Sequence, residues 1–155
     1  MTFPQQESRG SDPREEVVDS PTGWVAKHIR EYVETGGKKG QRFYGVDALL
    51  LTTRGRRTGK LRRTALYYGR HGDAFVVVAS NGGSATHPLW HRNLVADPVV
   101  HVQVGERTFN ARARTATGDE RAELWSMMVG LFGQYERYQQ ATAREIPVVV
   151  LDPID

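Results

Sequence analysis

The chain has 155 residues, of which 39% are hydrophobic and 25% charged, and its formal net charge at pH 7 is +3. This length suits a single domain with one hydrophobic core. No apolar run approaches the roughly eighteen residues that a membrane-spanning helix requires. The absence of cysteine excludes disulfides, thiolate nucleophiles and thiolate metal sites. Because the N-terminal segment lacks the layout of a secretory signal, we expect a cytoplasmic protein.

A polar segment begins the chain, and an amphipathic helix follows it. Residues 1–20 carry too little apolar surface to offset the entropy lost on ordering, which predicts a flexible tail. The segment at about 22–35 has apolar residues at helical spacing and ends at Gly36 and Gly37. Its apolar stripe consists of Trp24, Val25, His28, Ile29, Tyr32 and Val33. We expect this stripe to pack on the domain's own sheet, and docking on a membrane surface or a partner is the alternative.

From residue 46 onward the spacing of apolar residues is mostly that of strands. The predicted strands are 46–53, 64–69, 74–80, 99–104, 107–115 and 146–151. Helices are predicted at 88–96 and 134–144, and a third helix is predicted to begin at Thr117, which forms a capping box with Glu120. Hairpins between these strands predict a mostly antiparallel sheet curled into a barrel, with helices covering its openings. The expected fold class is therefore mostly β with covering helices (α+β), in a single domain over 21–155.

The segment RGRRTGKLRR, residues 54–63, places six cationic side chains directly after an apolar strand. It is not a nucleotide-binding P-loop, because only three residues separate Gly55 from Gly59 and Leu61 follows the lysine where a hydroxyl should coordinate magnesium. Its backbone amides and guanidinium groups suit phosphate or carboxylate oxygens, so it is a candidate anion site. A solvated hairpin tip and a nucleic-acid patch remain alternatives.

The segment ASNGGSATHPLWHRN joins the end of a strand to a short helix. Its turn residues are Ser80, Asn81, Gly82 and Gly83, and Leu89, Trp90 and Asn93 lie on the helix that follows. Glycine lets backbone approach a flat ligand closely, and a helix N-terminus favours negative charge. The alternative is an ordinary turn with Trp90 in the core. His87 and His91 have helical metal-pair spacing, but no acidic base or third ligand accompanies them, and we predict no metal site.

Three aromatic residues near the C-terminus recur at helical spacing. Phe132, Tyr135 and Tyr138 would share one slowly drifting helix face, which could cover a planar ligand and offer phenolic donors. Packing of this face on the barrel is the alternative. No segment has the GxSxG pattern of a nucleophile elbow, which argues against nucleophilic hydrolysis.

The order of these motifs over about 46–153 resembles the deazaflavin (coenzyme F420)-dependent nitroreductases and F420H2-dependent quinone reductases of actinobacteria. The resemblance rests on LLLTTRGRRTGKLRRTALYY, VVVASNGGSATHPLWHRNLVADPVVHVQV, DERAELW, YERYQQ and IPVVVLDP. It implies a split β-barrel of the FMN-binding type and coenzyme F420 as the cofactor. Such an enzyme transfers a hydride from reduced F420 to a quinone, a nitroaromatic or a similar electron-poor acceptor.

The resemblance also implies roles for individual residues. The phospholactyl-polyglutamate tail of the cofactor would contact Arg56, Arg57, Thr58 and Arg62, with Lys60 and Arg63 as accessories. Its ring and ribityl chain would contact Ser80, Asn81, Gly82, Gly83, Leu89, Trp90 and Asn93. The acceptor side of the site would contain Tyr67, Phe132, Tyr135 and Tyr138. Tyr135 is the hypothetical proton donor, with Tyr67 and Tyr138 as further catalytic candidates.

Two positions depart from the family pattern. Many members carry a basic residue at the position of Asn81, and the best-known members have tyrosine at the position of Phe132. A neutral amide at Asn81 replaces one cationic contact, and Phe132 cannot donate a proton. An FMN-binding barrel enzyme and a non-catalytic basic barrel that binds nucleic acid or carries cofactor remain the alternatives. If the protein is a quinone reductase of this kind, we expect that it does not bind nucleic acid. We also expect it to contact the inner face of the cell membrane.

Overall fold

A mixed sheet of nine strands is the framework of the protein in the computed structural model, which describes residues 17–20, 23–38, 42–43 and 46–154. Eight strands follow one another in the order β1-β4-β3-β7-β8-β9-β6-β5, and β2 pairs with β3. The strands are β1 Val17–Asp19, β2 Arg42–Phe43, β3 Val46–Arg54, β4 Leu61–Tyr67, β5 Gly69–His71, β6 Ala74–Val78, β7 Val99–Val104, β8 Arg107–Thr115 and β9 Val148–Pro153. Neighbouring strands are antiparallel except β1 and β4, which are parallel.

Four α-helices accompany the sheet. They are α1 Gly23–Thr35, α2 Leu89–Ala96, α3 Gly118–Leu131 and α4 Gln134–Gln140. Within the described ranges, no helix combines the length and hydropathy needed to cross a membrane.

Both faces of the sheet are covered by apolar side chains, which explains the unbroken apolar runs in the sequence. In β3, Leu49 and Leu51 belong to one core cluster, whereas Leu50 belongs to another that packs under α1. In β6, Val77 lies in the first of these clusters, and Val76 lies in a third cluster under α3 and α4. Since successive side chains of a strand point to opposite faces, continuous rather than alternating apolar strands are expected here.

The apolar stripe of α1 packs on the protein's own sheet, as predicted. Ile29 and Tyr32 are fully buried and pack with Leu50 of β3. The Tyr32 hydroxyl donates a hydrogen bond to the carbonyl of Ala48 at 3.0 Å and accepts one from the amide of Gly105 at 2.7 Å. Gly37, with φ of 85°, donates its amide hydrogen to the carbonyl of Tyr32 and ends the helix. The side chain of Trp24 lies outside the described residues.

The predicted N-terminal tail is wrong for its last residues. Val17–Asp19 form β1, which pairs with the segment from Leu61 to Arg63 of β4. The polar composition of the segment concealed this strand, because its pairing depends on backbone hydrogen bonds and on a carboxylate rather than on apolar burial. Residues 1–16 lie outside the described part of the chain.

The predicted capping box at the start of α3 is also not formed. Thr117 is the residue before the helix, but its side chain makes no capping hydrogen bond. Glu120 instead binds the guanidinium of Arg114, whose Nη1 lies 2.6 Å from its Oε1. Because the carboxylate has this closer cationic partner on β8, it does not reach back to the helix terminus. The short strands β2 and β5 were not predicted either. The remaining differences are element bounds, of which the largest are that β4 begins three residues earlier than predicted and that α4 ends at Gln140.

Candidate functional site: a basic and an aromatic cavity

The basic segment forms the loop between β3 and β4, and its backbone is held by internal hydrogen bonds. The amide of Gly55 donates to the carbonyl of Lys60 at 2.7 Å, and the amide of Gly59 donates to the carbonyl of Gly55 at 2.8 Å. The hydroxyl of Thr58 accepts a hydrogen bond from the amide of Lys60 at 3.2 Å. Gly59 has φ of 72°, a conformation that suits glycine. The loop is therefore a defined hairpin end and not a loose tip.

Asn93 of α2 anchors this loop to the body of the protein. Its Oδ1 accepts a hydrogen bond from the amide of Arg56 at 3.1 Å, and its Nδ2 donates to the hydroxyl of Thr53 at 3.2 Å. The side chain is buried. Asn93 thus serves as a positioning residue for the loop, a role that its sequence neighbourhood did not reveal.

A cavity of about 860 Å³ lies between the loop, α2 and β1, and we call it the basic cavity. Of the predicted cofactor residues, its walls contain Arg56, Arg57, Thr58, Arg62, Asn81, Leu89, Trp90 and Asn93. Lys60, Ser80, Gly82 and Gly83 are not part of these walls. These predicted residues are thus eight of the eighteen that line this cavity, and Arg92 is a further cation in its walls that was not predicted.

The cations of the basic cavity divide into two groups. The guanidinium of Arg63 binds the carboxylate of Asp19 with two hydrogen bonds, of 2.6 and 3.2 Å. The exposed guanidinium groups of Arg56, Arg57 and Arg62 have no carboxylate partner among the described residues. Arg63 was predicted as an accessory anion contact, but its charge is already neutralised by Asp19 on β1.

The turn Asn81–Gly83 lies between the basic cavity and a second one. Asn81 has φ of 48°, and its Nδ2 donates to the hydroxyl of Ser84 and to the carbonyl of Thr86. Gly83, with φ of 80°, packs directly on α4, where a Cβ would lie 2.9 Å from the carbonyl oxygen of Tyr138. Gly83 therefore permits the turn to approach α4, and it is not itself part of either cavity's walls.

Arg144, which was not among the predicted site residues, fixes the segment that contains this turn. Its guanidinium donates to the carbonyls of Ser80 at 2.6 Å and Ser84 at 2.9 Å, and its Nη1 lies 2.8 Å from Nδ1 of His87. The residue lies in a loop without periodicity or motif, more than fifty positions from its partners, so no local signal could have identified it. Arg144 thus fixes Ser80, Ser84 and His87 relative to one another.

The second cavity, of about 590 Å³, lies where β4 meets the junction of α3 and α4, and we call it the aromatic cavity. Its walls contain His28, Ala48, Ala65, Leu66, Tyr67, Val78, Ser80, Gly82, Phe132, Gly133, Gln134, Tyr135 and Tyr138. The ring of Phe132 lies 4.9 Å from that of Tyr67 and 5.0 Å from that of Tyr135, measured between centroids. Edge contacts at such distances favour a fixed ring cluster.

The prediction that Phe132, Tyr135 and Tyr138 lie on one face of a single helix is wrong. Phe132 follows the last residue of α3 in extended conformation, with φ of −147°, and α4 begins only at Gln134. The three aromatic side chains therefore meet at a bend between two helices and not along one helix. The bend brings Phe132 against Tyr67 of β4, which a continuous helix would not require.

As far as the described residues define them, the walls of the aromatic cavity hold no titratable side chains other than three phenols and the imidazole of His28. No aspartate, glutamate, lysine or arginine lines this cavity. Tyr135 is buried, and burial, followed by the neighbouring Tyr67 and Tyr138, raises the pKa of its phenol well above 10. The phenol therefore keeps its proton at neutral pH and can donate a hydrogen bond to a carbonyl or nitro oxygen.

His87 and His91 lie together beside the basic cavity, with ring centroids 5.1 Å apart. Burial, followed by the charges of His87 and Arg144, lowers the pKa of His91 to about 4. In the described part of the chain, no group of three histidine, aspartate or glutamate side chains could hold a metal ion.

The two cavities adjoin along two segments of the chain. On β4, Thr64 lines the basic cavity and Ala65 lines the aromatic one. At the turn, Asn81 lines the basic cavity, whereas Ser80 and Gly82 line the aromatic one. A molecule with an anionic end and a planar ring fits such a site, because unpaired guanidinium groups lie at one end and apolar rings at the other.

The chain matches the family described as F420H(2)-dependent quinone reductase over residues 24–153. The chain belongs to this family. An F420H(2)-dependent quinone reductase of Mycobacterium tuberculosis is 40% identical over 141 residues, which cover 83% of this chain and 95% of that relative. A solved F420-H2 dependent reductase is 36% identical, with a TM-score of 0.63, and the similarity covers 68% of this chain and 93% of the other.

A second solved structure, described as a domain-swapped dimer, is 34% identical with a TM-score of 0.67, over 86% of this chain and 100% of the other. The predicted family, its mostly β split-barrel fold and its class of F420-dependent oxidoreductase are thus confirmed. Coenzyme F420 is the cofactor of the family, and the residues present fit it: its anionic tail matches the unpaired guanidinium groups of the basic cavity. The roles of individual residues remain predictions.

Proposed function

We propose that the protein binds reduced coenzyme F420 across its two cavities and reduces a quinone in the aromatic cavity. The observation that carries this proposal is that consecutive residues of β4 and of the turn at Asn81 line two cavities of different character. One contains three guanidinium groups that have no carboxylate partner among the described residues, and the other is walled by aromatic side chains. Membership of the quinone reductase family supports it. A cavity that no carboxylate, ammonium or guanidinium group lines, among the described residues, suits a neutral, flat acceptor, because such a molecule needs no ionic partner.

Each cavity has a distinct task in this proposal. Arg56, Arg57 and Arg62 bind the anionic tail through charge-assisted hydrogen bonds, and Thr58 and Asn93 keep their loop in shape. Lys60 is exposed beyond the cavity and adds to the local positive potential. The turn at Ser80 and Gly82 positions the ring beside the aromatic cluster. When bound, the reduced cofactor supplies a hydride, so the chain needs no metal or nucleophile of its own.

The aromatic side chains orient the acceptor and exclude water. Tyr67, Phe132 and Tyr138 cover the flat faces available to a bound ring, and the buried phenol of Tyr135 donates a hydrogen bond to an acceptor oxygen. Such orientation lowers the barrier because the reacting atoms no longer have to find each other.

Nitroaromatic compounds are a second class of acceptor in this proposal. They are flat and electron-poor like quinones, and their nitro oxygens accept hydrogen bonds from a phenol. The rings of Phe132 and Tyr67 offer them an apolar contact, but Phe132 offers no hydroxyl. We therefore expect nitroaromatic reduction to be the weaker activity.

Contact of this cytoplasmic protein with the inner face of the cell membrane would bring a lipid-dissolved quinone near the aromatic cavity. Leu131, which is exposed at the end of α3 beside this cavity, is the apolar side chain that supports such contact. Ile29 and Tyr32 of α1 are not available for membrane contact, since both side chains are buried between this helix and the sheet. Flotation with anionic lipid vesicles tests the contact, and protein that stays at the bottom of the gradient contradicts it.

The decisive experiment is titration of the protein with oxidised F420, followed by quinone-dependent oxidation of the reduced form. We expect saturable binding and turnover with a naphthoquinone. Absence of F420 binding would overturn the proposal. Binding of FMN with its two-band visible spectrum would instead favour the flavin alternative, and salt-dependent binding of DNA or RNA without turnover would favour the non-catalytic one.

A further inference from the structure

The imidazole of His28, on α1, lies in the wall of the aromatic cavity together with the three tyrosines. We propose that His28 is the general acid that delivers a proton to the quinone as it is reduced. This inference rests on the proposed function and adds a residue to it. It begins from the placement of a titratable side chain against the space where the acceptor would bind.

The position of His28 is fixed by the packing of α1. The next residue, Ile29, is fully buried against the sheet, and Tyr32 follows one turn later on the same face. The rings of His28 and Tyr32 lie 6.4 Å apart between centroids. Because the Tyr32 hydroxyl is hydrogen-bonded to backbone of β3 and of the turn after β7, the helix cannot rotate without breaking these bonds. His28 is therefore presented to the cavity by two buried anchors that follow it on α1.

The other titratable groups in the walls of the aromatic cavity are phenols. From β4 the cavity receives Tyr67, and from α4 it receives Tyr135 and Tyr138; β3 contributes Ala48. Burial raises the pKa of Tyr135 well above 10, so this phenol gives up its proton reluctantly. Imidazole is the side chain that exchanges protons near neutral pH, and a general acid works best when it does so.

A charged residue of the sheet acts on Tyr32, the second anchor of His28. Asp47 of β3 adds to the raised pKa of Tyr32, which is caused mainly by burial. Arginine and lysine do not line the aromatic cavity in the described parts of the chain. The imidazolium form thus meets no cation in the cavity walls.

The proposed step balances as a two-electron reduction. As a C–H bond of the reduced deazaflavin breaks, its hydride forms an O–H bond with one carbonyl oxygen of the quinone and leaves the negative charge on the other oxygen. That second oxygen takes the proton as an N–H bond of the imidazolium breaks. The deazaflavin is oxidised, the quinone becomes a hydroquinone, and solvent returns a proton to the imidazole. Two electrons and two protons are thereby accounted for.

The test compares two acceptors in the His28→Gln variant. A quinone needs hydride and a proton, whereas an N-methylacridinium cation becomes neutral on taking hydride and needs no proton. We expect His28→Gln to lower kcat for the quinone at least about 100-fold, the lower end of what a general acid contributes. The acridinium rate should stay within about twofold. The matched control is His71→Gln, an exposed histidine of β5 that lines neither cavity.

The pH dependence supplies a second readout. With a general acid, the quinone rate falls as rising pH removes the imidazolium form, and this fall should disappear in His28→Gln. If the variant slows both acceptors equally, or leaves the pH profile of the quinone unchanged, His28 is not the acid. If the unaltered protein oxidises reduced F420 with neither acceptor, the proposed function itself fails.

Two measurements keep a structural effect apart from a chemical one. In His28→Ala, added imidazole should restore part of the quinone rate, and no restoration at any imidazole concentration contradicts the proposal. In the cofactor-free protein, 2-methyl-1,4-naphthoquinone should shift the imidazole resonances of His28 in NMR spectra and leave those of His71 in place. A shift of the tyrosine resonances without one at His28 would place the quinone out of its reach and overturn the inference.

Discussion

The basic and aromatic cavities differ in how they are held in shape. The basic cavity depends on hydrogen bonds of loops: the amide of Asn93, the hydroxyl of Thr58 and the Asp19–Arg63 pair fix its walls. The aromatic cavity depends on packing, since its rings touch one another at the bend between α3 and α4. In the proposed function, the exposed guanidinium groups of the basic cavity would provide affinity for the cofactor's anionic tail. The packed rings of the aromatic cavity would provide orientation of the acceptor.

The largest effect should follow from removing two cations of the basic cavity together. In Arg57→Ala/Arg62→Ala, we expect the Kd for F420 to rise about 100-fold, because each charge-assisted hydrogen bond contributes on the order of 1.5 kcal/mol. The KM for the quinone should stay within about twofold, since neither residue lines the aromatic cavity. Fluorescence titration and steady-state kinetics measure the two constants.

The matched control for this pair is Arg112→Ala, an exposed arginine of β8 outside both cavities, which should leave F420 binding unchanged. The loss in the double variant should also shrink as salt is raised, because exposed charges are screened. An F420 analogue without its tail should be insensitive to the substitutions. Equal losses for the truncated and the complete cofactor would show that the two arginines do not bind the tail.

For the aromatic cavity we expect a smaller effect, which changes the quinone kinetics and leaves the binding of F420 unchanged. Tyr135→Phe removes one phenol and should lower kcat/KM for the quinone about fivefold, the value of a single neutral hydrogen bond of about 1 kcal/mol. The Kd for F420 should not change. Tyr68→Phe is the control, because this tyrosine is buried in the core and lines neither cavity. Unchanged quinone kinetics in Tyr135→Phe, with Tyr68→Phe also unaffected, would exclude the phenol from acceptor binding.

The two cavities also differ in how much of each the sequence predicted. The basic loop is contiguous, and residues brought together by local hairpin geometry can be recognised from spacing alone. The aromatic cavity gathers side chains from α1, β4 and the junction of α3 and α4, and only a resemblance to relatives joined Tyr67 to Phe132, Tyr135 and Tyr138. His28 was assigned only to the apolar stripe of a helix, because nothing in its neighbourhood indicates which cavity that helix meets. Arg144 and the pairing of Asp19 with Arg63 depend on tertiary contacts that leave no periodic pattern.

The same reasoning explains which parts of the fold were predictable. The hairpin of β7 and β8 was located to the residue, since its alternation and its Gly105 turn are both local signals. Strand β1 was missed, because three residues are too few for a periodic pattern and the segment before them is polar. The bend at Phe132 was missed for a related reason: the aromatic spacing is compatible with a continuous helix, and packing against β4 decides the break.

The smallest effect should come from the one cation of the basic cavity that already has a partner. Asp19→Asn removes a carboxylate from the wall and leaves Arg63 free to bind the tail, so we expect the Kd for F420 to fall about threefold at low salt, within the range of one exposed ion pair. Asp19→Asn/Arg63→Gln restores the original net charge of the cavity and should return the Kd to within about twofold of its original value. Circular dichroism would verify that both variants remain folded. If the double variant instead loses as much affinity as a substitution of Arg62, Arg63 binds the tail despite its carboxylate, and the division of the cations into two groups is wrong.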